Sequence, residues 1–165
     1  MRIDTLTIRN FKGFEEISVP LNPNFNLIIG DNGSGKSAIL EALTIAMGSF
    51  FLGINGTDSR SIREADVRLR AFDGSQEKQF PVEITASGQV NNSTISWTRE
   101  QVKENGSTLS KRADSIKKIA EQLDKQVRNG ERITMPVFAY YSTGRLWKDL
   151  VERNTNKEPK QVIAS

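Results

Sequence analysis

The chain has 165 residues, of which 36% are hydrophobic and 26% are charged, and its formal net charge is +3. This balance is typical of a globular domain with its own core and argues against a disordered chain. Cysteine and histidine are both absent, which excludes disulfides, thiolate nucleophiles and a serine–histidine–aspartate triad. The charge is too small to indicate nucleic-acid binding by itself. Without a membrane-length apolar run or a signal peptide, we expect a cytoplasmic protein with no membrane partner.

The first part of the chain predicts two strands joined by a turn. Residues 2–11 alternate between apolar and polar side chains, and Ile17, Val19 and Leu21 alternate again after the turn Lys12-Gly13-Phe14. Because proline cannot donate to a neighbouring strand, Pro20 predicts that the second strand lies at a sheet edge.

An apolar run, a glycine-rich loop and a helix follow in that order. Residues 25–29 are typical of a buried strand, and residues 36–50 of a helix whose apolar stripe contains Ile39, Leu40, Leu43, Met47 and Phe50. Between them stands Gly30-Asp31-Asn32-Gly33-Ser34-Gly35-Lys36-Ser37, which has the spacing of a Walker A loop. Strand, loop and helix are the context that this motif requires, so a glycine-rich surface turn is the weaker interpretation.

The residue types of this loop suit a triphosphate with its magnesium ion. We expect the backbone amides to surround the phosphates at a helix N-terminus, with Gly33 and Gly35 in left-handed conformations. Lys36 is the predicted catalytic residue, bridging the β- and γ-phosphates, and the Ser37 hydroxyl is the predicted Mg²⁺ ligand. The Asn32 amide either reaches the γ-phosphate side or simply suits the turn. The predicted nucleotide-binding residues are Gly30, Asp31, Asn32, Gly33, Ser34, Gly35, Lys36, Ser37 and Ala38, with ATP and Mg²⁺ as cofactors.

The middle of the chain predicts an irregular segment followed by β structure. Residues 53–61 are rich in turn-forming types, and residues 66–71 alternate as a strand does. Residues 81–86 and 93–99 flank a turn built from Ser87-Gly88 and Asn91-Asn92, which together predict a hairpin.

The remainder predicts a second helix, a last strand and a polar tail. Residues 112–128 form an amphipathic helix that ends at Asn129-Gly130, with an apolar face of Ala113, Ile116, Ala120, Leu123 and Val127. Its basic face is more typical of a solvated helix, with Glu121 and Lys125 as an i,i+4 pair, than of a DNA-binding surface. Residues 134–140 suit a central strand, a short helix follows through Asp149, and residues 154–165 are polar.

Two motifs flanking the loop resemble a known class. The turn Asn10-Phe11-Lys12-Gly13-Phe14 and the helix start Ser37-Ala38-Ile39-Leu40-Glu41-Ala42-Leu43, taken with the loop, resemble the N-terminal ATPase half of the RecF/SMC/SbcC class over roughly residues 1–45. The resemblance implies an α/β P-loop NTPase fold of the ABC-type head, with a mixed sheet, an antiparallel β lobe and ATP between two heads. It also implies a basic residue near the nucleotide, which makes Lys12 a candidate ligand. A solvated hairpin lysine is the alternative.

A second segment resembles a narrower group. Residues 136–147, in their Tyr-Tyr, Thr-Gly-Arg and Trp positions, are similar to bacterial predicted ATP-binding proteins allied to defence and overcoming-lysogenisation ATPases. Arg145 follows the predicted strand, where it either reaches a phosphate or partner or forms an ordinary salt bridge. Tyr140, Tyr141 and Trp147 either stack on bases or, in the favoured interpretation, pack in the core.

Two parts of a complete head are missing from the sequence. No aspartate follows four apolar residues and precedes a glutamate, so no Walker B strand is present, and no Leu-Ser-Gly-Gly-type signature exists. Residues 1–150 are therefore predicted to be the N-terminal part of an ABC-type ATPase domain that is incomplete at its C-terminus. Residues 151–165 are predicted to be a polar tail or the start of a second lobe.

The predicted function is ATP binding, with hydrolysis by a parent protein that serves DNA double-strand-break repair or phage defence. That protein is expected to form a head-to-head homodimer and to have DNA or an effector nuclease as partner. A non-hydrolysing Mg-ATP sensor and a small P-loop kinase are the alternatives. Two strands before the loop argue against the kinase, and the Asn10–Phe14 turn fits an ABC transporter subunit less well than the RecF/SMC side.

Overall fold

The computed structural model describes residues 1–142, and its organising element is a four-stranded antiparallel sheet. The sheet has the order β2-β1-β5-β6, and a separate hairpin pairs β3 with β4. The strands are β1 (Arg2–Phe11), β2 (Phe14–Pro20), β3 (Leu69–Phe72), β4 (Ser75–Lys78), β5 (Val82–Val90) and β6 (Ser93–Gln101). The helices are α1 (Lys36–Phe51) and α2 (Asp114–Arg128), with 3-10 turns at Glu64–Asp66 and Lys111–Ala113.

The first two strands confirm the sequence prediction. β1 pairs with β2 on one side and with β5 on the other, and β2 lies at the edge of the sheet, as Pro20 predicts. Alternation places Leu6 and Ile8 on the buried face of β1, where both are fully buried. The N-terminal turn therefore joins an edge strand to a central one.

The predicted hairpin of β5 and β6 is also confirmed, but its turn is smaller than the sequence indicated. Asn91 and Asn92 alone form it, both with positive φ, which is the conformation of a two-residue hairpin turn. Ser87 and Gly88 lie inside β5 instead. A side chain at Gly88 would collide with the carbonyl oxygen of Arg2 on the neighbouring strand, so this glycine permits close strand packing.

Helix α1 covers one face of the sheet, and only part of its predicted stripe is buried: Ile39 and Phe50 are buried, whereas Leu43 and Met47 are only partly so. Ile45, Ala46 and Phe50 are buried against the sheet, and the Trp97 indole of β6 donates a hydrogen bond of 2.9 Å to the Ala46 carbonyl. Leu40, which the sequence placed in the buried stripe, is exposed. The small residues Ala42 and Ala46 form the buried stripe because they let the helix approach the strands closely.

Helix α2 packs against α1 and β6 through three residues of its predicted apolar face, and Ala113 of the preceding 3-10 turn is buried with them. Ala113, Ile116, Ala120 and Leu123 are buried, whereas Val127 in the last turn is exposed. On the solvent side, Lys117 pairs with Glu121 and Asp124 with Arg128, each at i,i+4, in place of the predicted Glu121–Lys125 pair. Gly130 has φ +79° and ends the helix where the sequence placed the stop.

Two further strands that the sequence predicted do not form within residues 1–142. Residues 25–29 and 134–140 are not strands, and Phe25, Leu27 and Val137 are 74%, 74% and 92% exposed. An apolar run becomes a buried strand only when neighbouring strands satisfy its backbone groups and cover its side chains. The described part of the chain supplies no such neighbour to either run.

The other differences are local. Residues 53–61 are irregular as predicted, and the strand predicted at 66–71 is shifted to β3, whose partner β4 no sequence pattern indicated. The predicted helix through Asp149 and the polar tail lie outside the described residues. No helix among residues 1–142 combines the length and apolar character that crossing a membrane requires.

Candidate functional site: the glycine-rich loop and the adjoining ion cluster

The loop of residues 30–37 leads into the N-terminus of α1, and this terminus is open. The first hydrogen bond of the helix runs from the Ile39 amide to the Gly35 carbonyl at 3.0 Å. The amides of Lys36, Ser37 and Ala38 therefore precede the regular helical bonds and have no carbonyl one turn earlier to bind. Within the described residues, no side chain caps this end and its first turn holds no acidic residue. The site favours an anion, since the helix dipole is positive there.

The glycines of the loop have the backbone conformations expected of them. Gly33 has φ +83° and Gly35 has φ +91°. A Cβ at Gly33 would meet no atom within 4 Å, whereas one at Gly35 would collide with the Phe14 ring and lie 2.9 Å from its Cε2. Phe14 thus packs directly on the loop, and the β1–β2 turn supports the start of α1.

The Lys36 ammonium lies across the mouth of the loop. Its Nζ donates hydrogen bonds to the carbonyl oxygens of Gly30 at 2.7 Å and Asp31 at 2.6 Å. The side chain thereby reaches back from the first residue of α1 to the start of the loop. Because a lysine stem is flexible and its ammonium has three donors, the same group can turn to phosphate oxygens with little rearrangement.

The arrangement fits the triphosphate better than it fits a complete magnesium site. The Ser37 side chain is exposed at the first turn of α1, so its hydroxyl can supply one oxygen ligand to Mg²⁺. Asp31 and Asn32 are also exposed beside it. In the described part of the chain no three carboxylates cluster as metal ligands. The arrangement therefore suits phosphate oxygens, with Ser37 as its candidate metal ligand.

The Lys12 ammonium, a candidate nucleotide ligand, pairs with carboxylates in the structure. Its Nζ binds Glu41 Oε2 on α1 and lies 3.8 Å from Asp66 Oδ1. Arg60 Nη2 completes the group, at 2.8 Å from Glu41 Oε2 and 3.2 Å from Asp66 Oδ1. We call these four residues, Lys12, Glu41, Arg60 and Asp66, the ion cluster. Two cations and two carboxylates balance one another within it.

The electrostatics of the ion cluster favour the charged form of Glu41. Burial raises the pKa of this carboxyl, but hydrogen bonds and charges from Lys12 and Arg60 outweigh it and leave the pKa below its ordinary value. Asp66 is the most buried member, with a side chain only 4% exposed, and its Oδ2 also accepts a hydrogen bond from the Arg63 amide. The cluster therefore joins α1 to the segment before β3.

Sequence reasoning missed most of the contacts around this site. It singled out Lys12 but not the other members of the ion cluster, Glu41, Arg60 and Asp66, nor the packing of Phe14 on Gly35. The partners of Lys12 stand 29 to 54 positions away along the chain, so no local spacing could reveal them. Glu41 had the one available signal, because it belongs to the Ile-Leu-Glu-Ala run after the loop.

The other candidates lie away from the loop or beyond the described residues. Arg145 and Trp147 fall in the part of the chain that the structure does not describe. Tyr140 and Tyr141 are 45% and 73% exposed, so the favoured interpretation of core packing is wrong for both. The physical reason is that residues 134–140 form no strand, and no sheet encloses the two rings.

Comparison with known proteins extends the similarity over most of the chain. It is 28% identical over 124 residues to the DNA replication and repair protein RecF of Idiomarina loihiensis, which covers 74% of this chain and 32% of the relative. It is 29% identical over 140 residues to RecF of Actinobacillus pleuropneumoniae serotype 5b, covering 82% of this chain and 34% of the relative. A match to RecF of Escherichia coli O1:K1 is 34% identical over 91 residues, 54% of this chain and 25% of the relative.

These relatives confirm the RecF-like resemblance and the α/β P-loop ATPase fold read from the first 45 residues. The chain spans about a third of the length of the first two relatives. A family model described as an AAA domain matches residues 5–164. Since that match covers nearly every residue, the chain belongs to this AAA domain family.

Proposed function

We propose that this chain binds Mg-ATP at residues 30–38 and supplies the phosphate-binding half of an ATPase site. In this proposal the loop amides and Lys36 hold the phosphates and Ser37 holds Mg²⁺. The supporting observation is the open N-terminus of α1, which has uncapped amides and an acid-free first turn. The Lys36 ammonium of that turn is hydrogen-bonded to the Gly30 carbonyl at the start of the loop. Bound nucleotide would satisfy these amides, which otherwise depend on water.

Hydrolysis is proposed for the whole protein to which such a chain belongs. A glutamate that activates water and an aspartate that binds the metal are needed, and the sequence contains no Walker B strand to provide them. By analogy with RecF, the whole protein would act in the cytoplasm on DNA in repair, with two heads enclosing ATP. Residues 1–150 would be the front part of that head, followed by the start of a second lobe.

The second candidate is a sensor that binds Mg-ATP without turning it over. The lack of a Walker B strand in the sequence favours it for the chain taken alone. A phage-defence role rests only on residues 136–147, and nothing in the described site adds to it. The two candidates differ in turnover and agree on binding.

Calorimetric titration of the 165-residue chain with Mg-ATP, together with a phosphate-release assay, tests both. We expect binding that Lys36→Ala weakens roughly ten- to a hundredfold, since a charge-assisted contact to phosphate is lost. Lys118→Ala is the matched control, because Lys118 is an exposed lysine on α2, and it should bind as the parent chain does. Equal affinity of Lys36→Ala and the parent chain would overturn the phosphate-loop assignment. Steady phosphate release would instead show that this chain hydrolyses ATP by itself.

A further inference from the structure

The members of the ion cluster are held with unequal firmness. Arg60 uses both ends of its guanidinium: Nη2 binds the two carboxylates, while Nη1 donates to the Glu41 carbonyl and the Thr44 hydroxyl, each at 3.1 Å. Lys12 has one close contact, to Glu41, and a longer one to Asp66. A planar fork with several partners is pre-organised, whereas a single ammonium on a flexible stem exchanges partners readily. Lys12 is therefore the exchangeable cation of the cluster.

Removing Lys12 would leave neither carboxylate without a cation. Arg60 Nη2 is 2.8 Å from Glu41 Oε2 and within 3.4 Å of both Asp66 oxygens. Asp66 also retains the Arg63 amide at 3.0 Å. The high cost of leaving a buried charge unpaired is therefore avoided when Lys12 departs. Removing Arg60 would not be equivalent, because the most buried carboxylate would lose its closer cation.

The position of Lys12 relative to the loop matters because a bound phosphate is a second anion with which its ammonium could pair. Phe14, two residues further along the same turn, packs on Gly35 of the loop. Glu41 follows Lys36 by five residues, which is about 7.5 Å along the axis of α1. The Lys12 ammonium thus lies beside the first turns of the helix whose N-terminus is the phosphate site. A triphosphate bound there would compete with Glu41 for this cation.

We infer that Glu41 sets the nucleotide affinity of the loop by competing with the bound phosphates for Lys12, while Arg60 keeps Glu41 and Asp66 neutralised after Lys12 leaves. This inference rests on the proposed function, since it requires nucleotide at residues 30–38. Glu41 is here a regulating residue that acts through Lys12 and does not touch the ligand. Nucleotide binding then costs the free energy of the Lys12–Glu41 contact, because this contact is present in the free protein and is lost when Lys12 binds phosphate.

The test is a double-mutant cycle on Mg-ATP affinity in the full 165-residue chain. Glu41→Gln removes the competing charge with little change of shape and should tighten binding about two- to fivefold, the range of a partly exposed ion pair. Lys12→Ala should weaken binding. In the Lys12→Ala background, Glu41→Gln should have no effect, because no cation remains to be released. Glu121→Gln on α2 controls for the loss of one negative charge from the chain.

Several outcomes separate this inference from the proposed function. If the parent chain binds and Lys36→Ala does not, but Glu41→Gln is unchanged or weaker, the competition is overturned and the phosphate loop stands. An equal effect of Glu41→Gln with and without Lys12 would also overturn it, since a structural role needs no lysine. If the parent chain fails to bind Mg-ATP, the proposed function itself fails. Should Glu41→Gln not fold, Glu41→Asp keeps the charge, shortens the reach and should tighten binding to a smaller extent.

Discussion

The two sides of α1 differ in how completely they are covered. On the sheet side, Ile45 and Ala46 are fully buried and Phe50 is 1% exposed. On the other side, Leu40, Leu43 and Met47 line a cavity of about 320 Å³ together with Phe138. Near that side run residues 25–29, in which Phe25, Leu27 and Ile29 are exposed. The described residues cover the sheet side of α1, whereas they leave part of the other side exposed.

The difference shows what each side requires. The antiparallel sheet is built from two hairpins, β1–β2 and β5–β6, and the pairing of β1 with β5 joins them, so every strand has a hydrogen-bonded neighbour within the described residues. The other side contains two apolar runs without strand neighbours in residues 1–142. Both are of the kind that parallel sheets bury on two faces. The loop of residues 30–37 leads into the N-terminus of α1, at one end of both sides.

The largest expected difference between the two sides is in stability. Ile45→Ala should lower the free energy of unfolding by about 2–5 kcal/mol, because it leaves a cavity against the sheet. Leu27→Ala should change it by less than about 0.5 kcal/mol, because its side chain is 74% exposed. Urea denaturation followed by tryptophan fluorescence measures both.

If Ile45→Ala does not fold, Ile45→Val can replace it, and it should lower the free energy of unfolding by about 0.5–1.5 kcal/mol. A cost for Leu27→Ala as large as that for Ile45→Ala would contradict the comparison, because residues 25–29 would then be buried in solution.

A smaller effect is expected where the loop contacts the antiparallel side. Gly35→Ala places a Cβ in the Phe14 ring and in a left-handed conformation, whereas Gly33→Ala meets the same conformation in open space. Gly33→Ala should lower the free energy of unfolding by about 1 kcal/mol, from the backbone conformation alone. Gly35→Ala should lower it further, because the added Cβ also collides with Phe14. Adding Phe14→Ala should recover stability in Gly35→Ala and not in Gly33→Ala. If the two glycine variants unfold at the same urea concentration, Phe14 does not support the loop.

The smallest effect concerns acid, at the ion cluster that joins α1 to the segment before β3. The pKa of Glu41 lies below its ordinary value of 4.5 in the folded chain. The stability it contributes is therefore present above that value and is lost as the pH falls through the folded pKa. Glu41→Gln imitates the protonated acid, so the difference in unfolding free energy between the parent chain and this variant should shrink below pH 4.5. A difference that stays constant across this range would contradict the pairing of Glu41 with Lys12 and Arg60.

Local patterns predicted the elements that depend on local chemistry. β1 and β2, α1, the β5–β6 hairpin and α2 follow from alternation, helical spacing and turn residues such as Asn91 and Gly130. The Walker A spacing likewise predicted the loop and the positive φ of its glycines. These signals are contained within about ten residues of chain.

What the patterns could not predict depends on neighbours far away in sequence. Residues 25–29 and 134–140 have the composition of buried strands, but composition does not supply the strands that must flank them. The prediction placed Leu40 in the buried stripe of α1 because leucine is more hydrophobic than alanine. Close packing on the sheet instead selects the smaller Ala46, which is buried, and leaves Leu40 exposed. The ion cluster was missed because its members come from three separate segments.

The central claim is that phosphate binds at the backbone amides of residues 33–38. It is tested most directly by amide chemical shifts in nuclear magnetic resonance spectra of the ¹⁵N-labelled chain as Mg-ADP and Mg-ATP are added. We predict that the largest shifts occur at Gly33, Gly35, Lys36, Ser37 and Ala38, and that Lys36→Ala abolishes them at the same nucleotide concentration. Shifts centred on Tyr140 and Tyr141, with the loop amides unmoved, would contradict the claim.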